Sequence, residues 1–90
     1  MYYKIKITET ARNDIRSLPD HMRQRVRRAI DALSTNPLPG GAKELRGLPG
    51  RYRIRIDRWR IIYRIDQENV IVLLLRVRRK TGPETYQDLQ

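Results

Sequence analysis

Residues 2 to 7 alternate in character, with Tyr3, Ile5 and Ile7 set against Tyr2, Lys4 and Lys6, the period of two expected of a strand with one buried face. Thr8 is placed to cap a helix from Glu9 to about Ser17, in which Ala11, Ile15 and Leu18 form one apolar stripe, and Pro19 ends it. Asp20 is placed to cap a second helix. Its Met22, Val26, Ile30 and Leu33 recur at helical spacing, while Arg23, Arg25, Arg27 and Arg28 take the other faces. The segment from Asn36 to Ala42 holds two prolines and two glycines in seven residues and reads as a loop returning the chain to a sheet. Beyond it, Tyr52, Ile54 and Ile56 alternate with Arg51, Arg53 and Arg55. After a tight Asp57-Arg58 connection, Trp59, Ile61, Tyr63 and Ile65 alternate with Arg60, Ile62 and Arg64. A turn over Asp66 to Asn69 leads to a strand from Val70 to Val77 that is apolar on both sides and therefore expected to be central. Gly82 to Gln90 is short and polar. The order predicts an α+β fold: an N-terminal strand, a helical hairpin, then an antiparallel meander of three to four strands. The helices pack on one face of the sheet and leave the other open.

Composition narrows the function. The chain has ninety residues, twenty Lys or Arg against ten Asp or Glu, and a formal net charge of +10. A chain of this length buries only roughly 60–65% of its unfolded surface, enough for one thin core and no deep internal pocket. Residues 1–90 therefore read as a single domain, and an enzyme with a buried small-molecule site is disfavoured. Cysteine is absent, which excludes disulfides, thiolate metal sites and a cysteine nucleophile. Neither a metal nor a cofactor is expected. The Val70–Leu75 apolar run is far below the ~18 residues that span a bilayer, and no apolar signal core follows Met1, so a cytoplasmic location without membrane attachment is expected. Sixteen of the twenty cations are Arg, whose planar fork matches phosphate, so a polyanion is the expected partner.

Six arginines fall between Arg51 and Arg64, and Arg76, Arg78, Arg79 and Lys80 follow at the end of the last strand. Pairing of the strands as read projects Arg53, Arg55 and Arg60 from neighbouring strands onto the face opposite the Tyr52/Ile54/Ile56 row. Like charges set that close destabilise a sheet, so an anion is expected there, and phosphate suits Arg geometry. The bland alternative is a solvated face on a basic protein. Arg23 and Arg27 of the second helix, with Arg51, Arg78 and Arg79, are the residues expected to dock RNA phosphates through salt-sensitive contacts.

These residues resemble the RelE/ParE toxins of bacterial toxin–antitoxin pairs over nearly the whole chain. The resemblance lies above all in Lys43-Glu-Leu-Arg-Gly-Leu-Pro-Gly-Arg-Tyr-Arg-Ile-Arg, then Trp59-Arg-Ile-Ile-Tyr-Arg-Ile, and in the spacing to Val77-Arg-Arg-Lys and Tyr86. For the RelE branch it implies a type II toxin that enters the ribosomal A site and cleaves messenger RNA without a metal, inhibiting translation. The catalytic positions it implies are Arg53, Arg55, Arg60, Lys80 or Arg79, and Tyr86, with the first two often lysine in the family. The implied partners are a cognate RelB-like antitoxin, the ribosome and messenger RNA. For the ParE branch it implies a poison of DNA gyrase that cuts no RNA. A non-catalytic RNA-binding module is a third reading.

Metal-free RNA cleavage needs a base for the 2′-OH, positive charge for the transition state and an acid for the 5′ oxygen. Arginine stays protonated and serves the middle role, which leaves Tyr86 and Lys80 as the titratable candidates. Neighbouring cations are expected to lower the pKa of both. His21, at the start of the second helix, is expected to be structural or superficial. Trp59, Tyr52 and Tyr63 are expected in the core, and Glu44, Asp57 and Asp66 are too scattered to make a paired-carboxylate or metal site.

Overall fold

The computed structural model describes residues 2–79, so Lys80, Tyr86 and the polar stretch 82–90 lie outside the described residues. Five strands and two helices follow one another as β1 (Lys4–Ile7), α1 (Glu9–Arg16), α2 (Asp20–Ala32), β2 (Lys43–Glu44), β3 (Arg51–Ile56), β4 (Trp59–Asp66) and β5 (Ile71–Arg79). Thr8 caps α1 as the sequence predicts, its hydroxyl oxygen accepting from the Ala11 N–H at 3.1 Å. Asp20 does not cap α2. The cap position is Pro19, with no side-chain bond, and Asp20 is instead an acidic first-turn residue paired with Arg23 at 2.9 Å.

The strands form one sheet in the order β1-β5-β4-β3-β2. β2 to β5 form the expected antiparallel four-stranded meander, and β1 adds a fifth strand that runs parallel to β5, so the sheet as a whole is mixed. The helical hairpin carries the chain from one edge to the other, and the meander walks back until β5 lies beside β1. Alternation reveals which side of a strand is buried and is silent on its direction, which is why the sequence missed the parallel pair. β5 is central, as its two apolar faces imply.

Ala11 and Ile15 of α1, with Met22, Val26 and Ile30 of α2, pack on Ile54, Ile61, Tyr63, Val72, Leu74 and Val77, all from one face of the sheet. Tyr63 is fully buried there and its hydroxyl donates to the Pro37 carbonyl at 2.7 Å, tying the proline loop to the core. Burial, and secondarily the neighbouring Tyr52, push its pKa from the ordinary 10.0 to about 12. The folded state therefore prefers the protonated phenol, a contribution complete below pH 10 and lost as pH rises from 10 towards 12. Alkaline urea titrations are expected to lose about 2–3 kcal/mol across that window through this group. Tyr63→Phe, which costs about 1 kcal/mol at neutral pH by leaving the Pro37 carbonyl without its donor, should flatten that loss.

β5 runs past the end of β1, and α1 closes the exposed edge. The Thr8 hydroxyl donates to the Leu75 carbonyl at 3.2 Å, and Asp14 accepts from the Val77 N–H at 3.0 Å and from Arg76 Nε at 2.9 Å. Arg76, part of the basic cluster read at the strand end, is thereby committed to a half-buried ion pair. Asp14→Ala leaves the Val77 N–H and the Arg76 charge without this acceptor and is expected to cost about 2–3 kcal/mol. The loss should appear as a lower urea midpoint at unchanged slope, with Asp14→Asn falling between.

The opposite face is not open throughout. Residues 45–50 fold over it, and Leu45 and Leu48 cover Ile62 and Leu75 in a second small core. Gly47 and Gly50, at φ of 77° and 79°, supply the left-handed turns this requires. The proline- and glycine-bearing run Leu45 to Gly50 is therefore a lid on the second face of the sheet.

Candidate functional site

Strand register sets the arginines in rows. Arg55 lies directly opposite Arg60, which lies opposite Arg78, and Arg51 lies opposite Arg64. Each directly opposed like-charge pair costs several tenths of a kcal/mol or more, so the fold carries a standing repulsion on this face. At the β3–β4 hairpin end, Arg55, Arg58, Arg60, Arg79 and Asp57 line a cleft of about 380 Å³. The two-residue connection makes this possible. Asp57 adopts φ of 54°, and the tight reversal brings Arg58 beside the Arg55–Arg60 pair.

Arg60 is 5% exposed, the one charged side chain among the buried residues described, whereas the open-face reading had it projecting into solvent. It stands on β4 between β3 and β5. A guanidinium cannot shed its proton, so charge is held at the inner wall of the cleft in reduced solvent screening, where its pull on an entering anion is strengthened. Arg55, Arg58 and Arg79 are exposed around it. Asp57, the single acid in the lining, is ion-paired with Arg25 of α2.

The other predicted residues are distributed differently. Arg53 lies opposite Lys43 and Ile62 and lines a neighbouring groove of about 540 Å³ with Lys43, Arg55 and the apolar Ala29, Ala32 and Ile56. Arg51 is half-buried beside the second small core, donating to the Pro49 carbonyl at 3.4 Å. Arg64 sits near Asp66, whose pKa is lowered chiefly by hydrogen bonds from the Asn69 side chain and main chain, with the Arg64 charge adding to the effect. Arg23 donates to the Ile15, Arg16 and Leu18 carbonyls at 3.3, 3.2 and 2.9 Å, so its guanidinium closes the C-terminus of α1. Arg27 is exposed on α2 and is not among the residues that line the cleft. His21 is exposed in the first turn of α2, and Trp59 and Tyr52 pack against the main core. Arg58 and Lys43 are the cations that strand patterning overlooked, because a turn residue and a two-residue strand carry no alternation. Among the described residues no three His, Asp or Glu side chains gather as metal ligands, and no helix is long and apolar enough to cross a membrane.

A two-helix layer on a mixed five-stranded sheet, with an arginine-lined cleft at a hairpin end, defines a protein of the RelE/ParE type. The family model of the ParE toxin of type II toxin–antitoxin systems, parDE, matches residues 5–81, and the chain belongs to that family. It is 38% identical over 78 residues to toxin RelG of Mycobacterium tuberculosis, covering 86% of this chain and 90% of that one. It is 26% identical over 90 residues to the mRNA interferase toxin RelE of Escherichia coli, covering 98% and 94%. Its fold superimposes on the toxin–antitoxin complex RelBE2 of Mycobacterium tuberculosis with a TM-score of 0.77 at 36% identity, covering 89% of this chain and all of the matched one. The protein is a RelE-like toxin of a type II toxin–antitoxin system.

Proposed function

We propose that this toxin is a ribosome-dependent endoribonuclease that cuts messenger RNA in the A site and is restrained by a cognate RelB-like antitoxin. The observation that carries the reading is the cleft in which the buried Arg60 is ringed by Arg55, Arg58 and Arg79. The likeness to a relative named as an mRNA interferase supports it. In the proposed reaction the 2′-oxygen attacks the adjacent phosphorus and its proton goes to a base. The 5′-oxygen leaves with a proton from an acid, giving a 2′,3′-cyclic phosphate and a 5′-hydroxyl. Arg55, Arg60 and Arg79 stabilise the extra charge on the phosphoryl oxygens, with Arg53 orienting the strand from the neighbouring groove. Tyr86 and Lys80 are proposed for the proton transfers, and Arg51, Arg78 and Arg27 for docking on RNA phosphates. Arg23, spent on the α1 carbonyls, is left out of that docking set.

Purified toxin added to ribosomes carrying a defined message is expected to cut it in the A site. The cleft is shallow and open, so alone it has few means of holding a 2′-OH in line with the leaving oxygen. Cleavage of protein-free RNA is therefore expected to be at least ~100-fold slower, and equal rates would remove the ribosome from the account.

A second reading is favoured by one observation, the ParE description of the matching family model. On that reading the toxin poisons DNA gyrase, and incubation with gyrase and supercoiled plasmid would accumulate linear DNA while ribosome-bound messages stay intact.

A further inference from the structure

One carboxylate stands in the wall of the arginine cleft. Asp57 lies on the hairpin turn next to Arg58 and lines the same cavity as Arg55, Arg60 and Arg79. An aspartate among four guanidinium groups is a built-in competitor for the forks a phosphate needs. It does not act as one here, because Arg25, reaching from α2 on the other layer, holds the Asp57 carboxylate. Both partners are about half exposed, at 47% and 59%, so the pair adds little to stability. Its effect is on where the carboxylate points. We propose that the Arg25–Asp57 pair is a positioning device for the cleft, holding the one acidic side chain of the lining away from the space a substrate phosphate enters. The inference rests on the reading of the cleft as a phosphate site, and it assigns Arg25 a role in that site from outside it.

Charge alone would make any helical arginine equivalent, whereas the geometry makes Arg25 distinct. Loss of Arg25 frees Asp57 to pair with Arg58 or Arg55 and so weakens phosphate entry. Removing both charges takes away the competitor together with its holder. A lysine at 25 retains a cation for Asp57.

The test measures two quantities for the full-length toxin and its variants: affinity for a non-cleavable 2′-O-methyl oligoribonucleotide, and KM and kcat for ribosome-bound message. Arg25→Gln is expected to weaken oligonucleotide binding about tenfold and raise KM to match, with kcat within twofold. Arg25→Lys and the double variant Arg25→Gln/Asp57→Asn are expected within twofold of the parent, as is Arg12→Gln, which removes one exposed helical charge elsewhere. Unchanged binding by Arg25→Gln overturns the proposal. So does a double variant as weak as Arg25→Gln, which would mean that Arg25 itself touches RNA. Absence of oligonucleotide binding by the parent overturns it as well. Should the binding pattern hold while ribosome-bound message stays intact, the positioning role stands and the nuclease reading falls.

Discussion

Arg60→Gln is expected to lower ribosome-dependent cleavage by about 10²–10³-fold, the scale of losing one preorganised donor to a developing oxyanion. Arg60 is chosen over its neighbours because it is the buried member of the cleft. Its charge acts through less water than that of Arg55 or Arg58, and its backbone is held in a central strand paired on both sides. In the proposed reaction the exposed arginines at the rim serve docking and are replaceable in part by one another, so Arg58→Gln should cost less and show mainly in KM. The Arg60→Gln protein should remain folded by circular dichroism, since the main core lies on the other face of the sheet. Activity within threefold of the parent would show that transition-state charge is met elsewhere.

Tyr86→Phe and Lys80→Met are each expected to slow cleavage by about 10²–10⁴-fold, the usual reach of general acid–base catalysis. The assignment follows from residue chemistry. Arginine is a poor proton carrier, and His21 is not among the residues that line the cleft. If Tyr86 is the base, the parent rate should rise with pH until its phenol is deprotonated, and this rise should vanish in Tyr86→Phe. Native rates for both variants would end the assignment.

Much of this architecture was legible because alternation is a local property. Tyr52, Ile54 and Ile56 against Arg51, Arg53 and Arg55 defined the faces of β3 correctly, and the same pattern in β4 placed Ile61 and Tyr63 in the main core. Thr8 was legible as a cap because capping involves only the four consecutive residues from Thr8 to Ala11. What covers a face depends on segments distant in sequence, and there the reading failed. The lid of Leu45 and Leu48 over Ile62, the burial of Arg60, and the parallel β1–β5 pair are all long-range. Among the candidate site residues, the sequence grouped Arg53, Arg55 and Arg60, of which Arg55 and Arg60 share a cleft with Arg79 while Arg53 lines the neighbouring groove; it did not single out Arg58 and treated Asp57 as a stray acid. It also gave Arg23 to RNA on charge alone, where the local geometry turns that fork onto the carbonyls ending α1. Arginine counts locate a basic surface, whereas the partners of each guanidinium decide which are available.

In the proposed function the arginine cleft acts on messenger RNA positioned by a ribosome. Primer extension on cellular messages after brief induction of the toxin tests it most directly. New 5′ ends are expected within coding regions, spaced in codon register and absent when Arg60→Gln is induced to the same level. Intact transcripts accompanied by DNA breaks would contradict it and favour the gyrase reading.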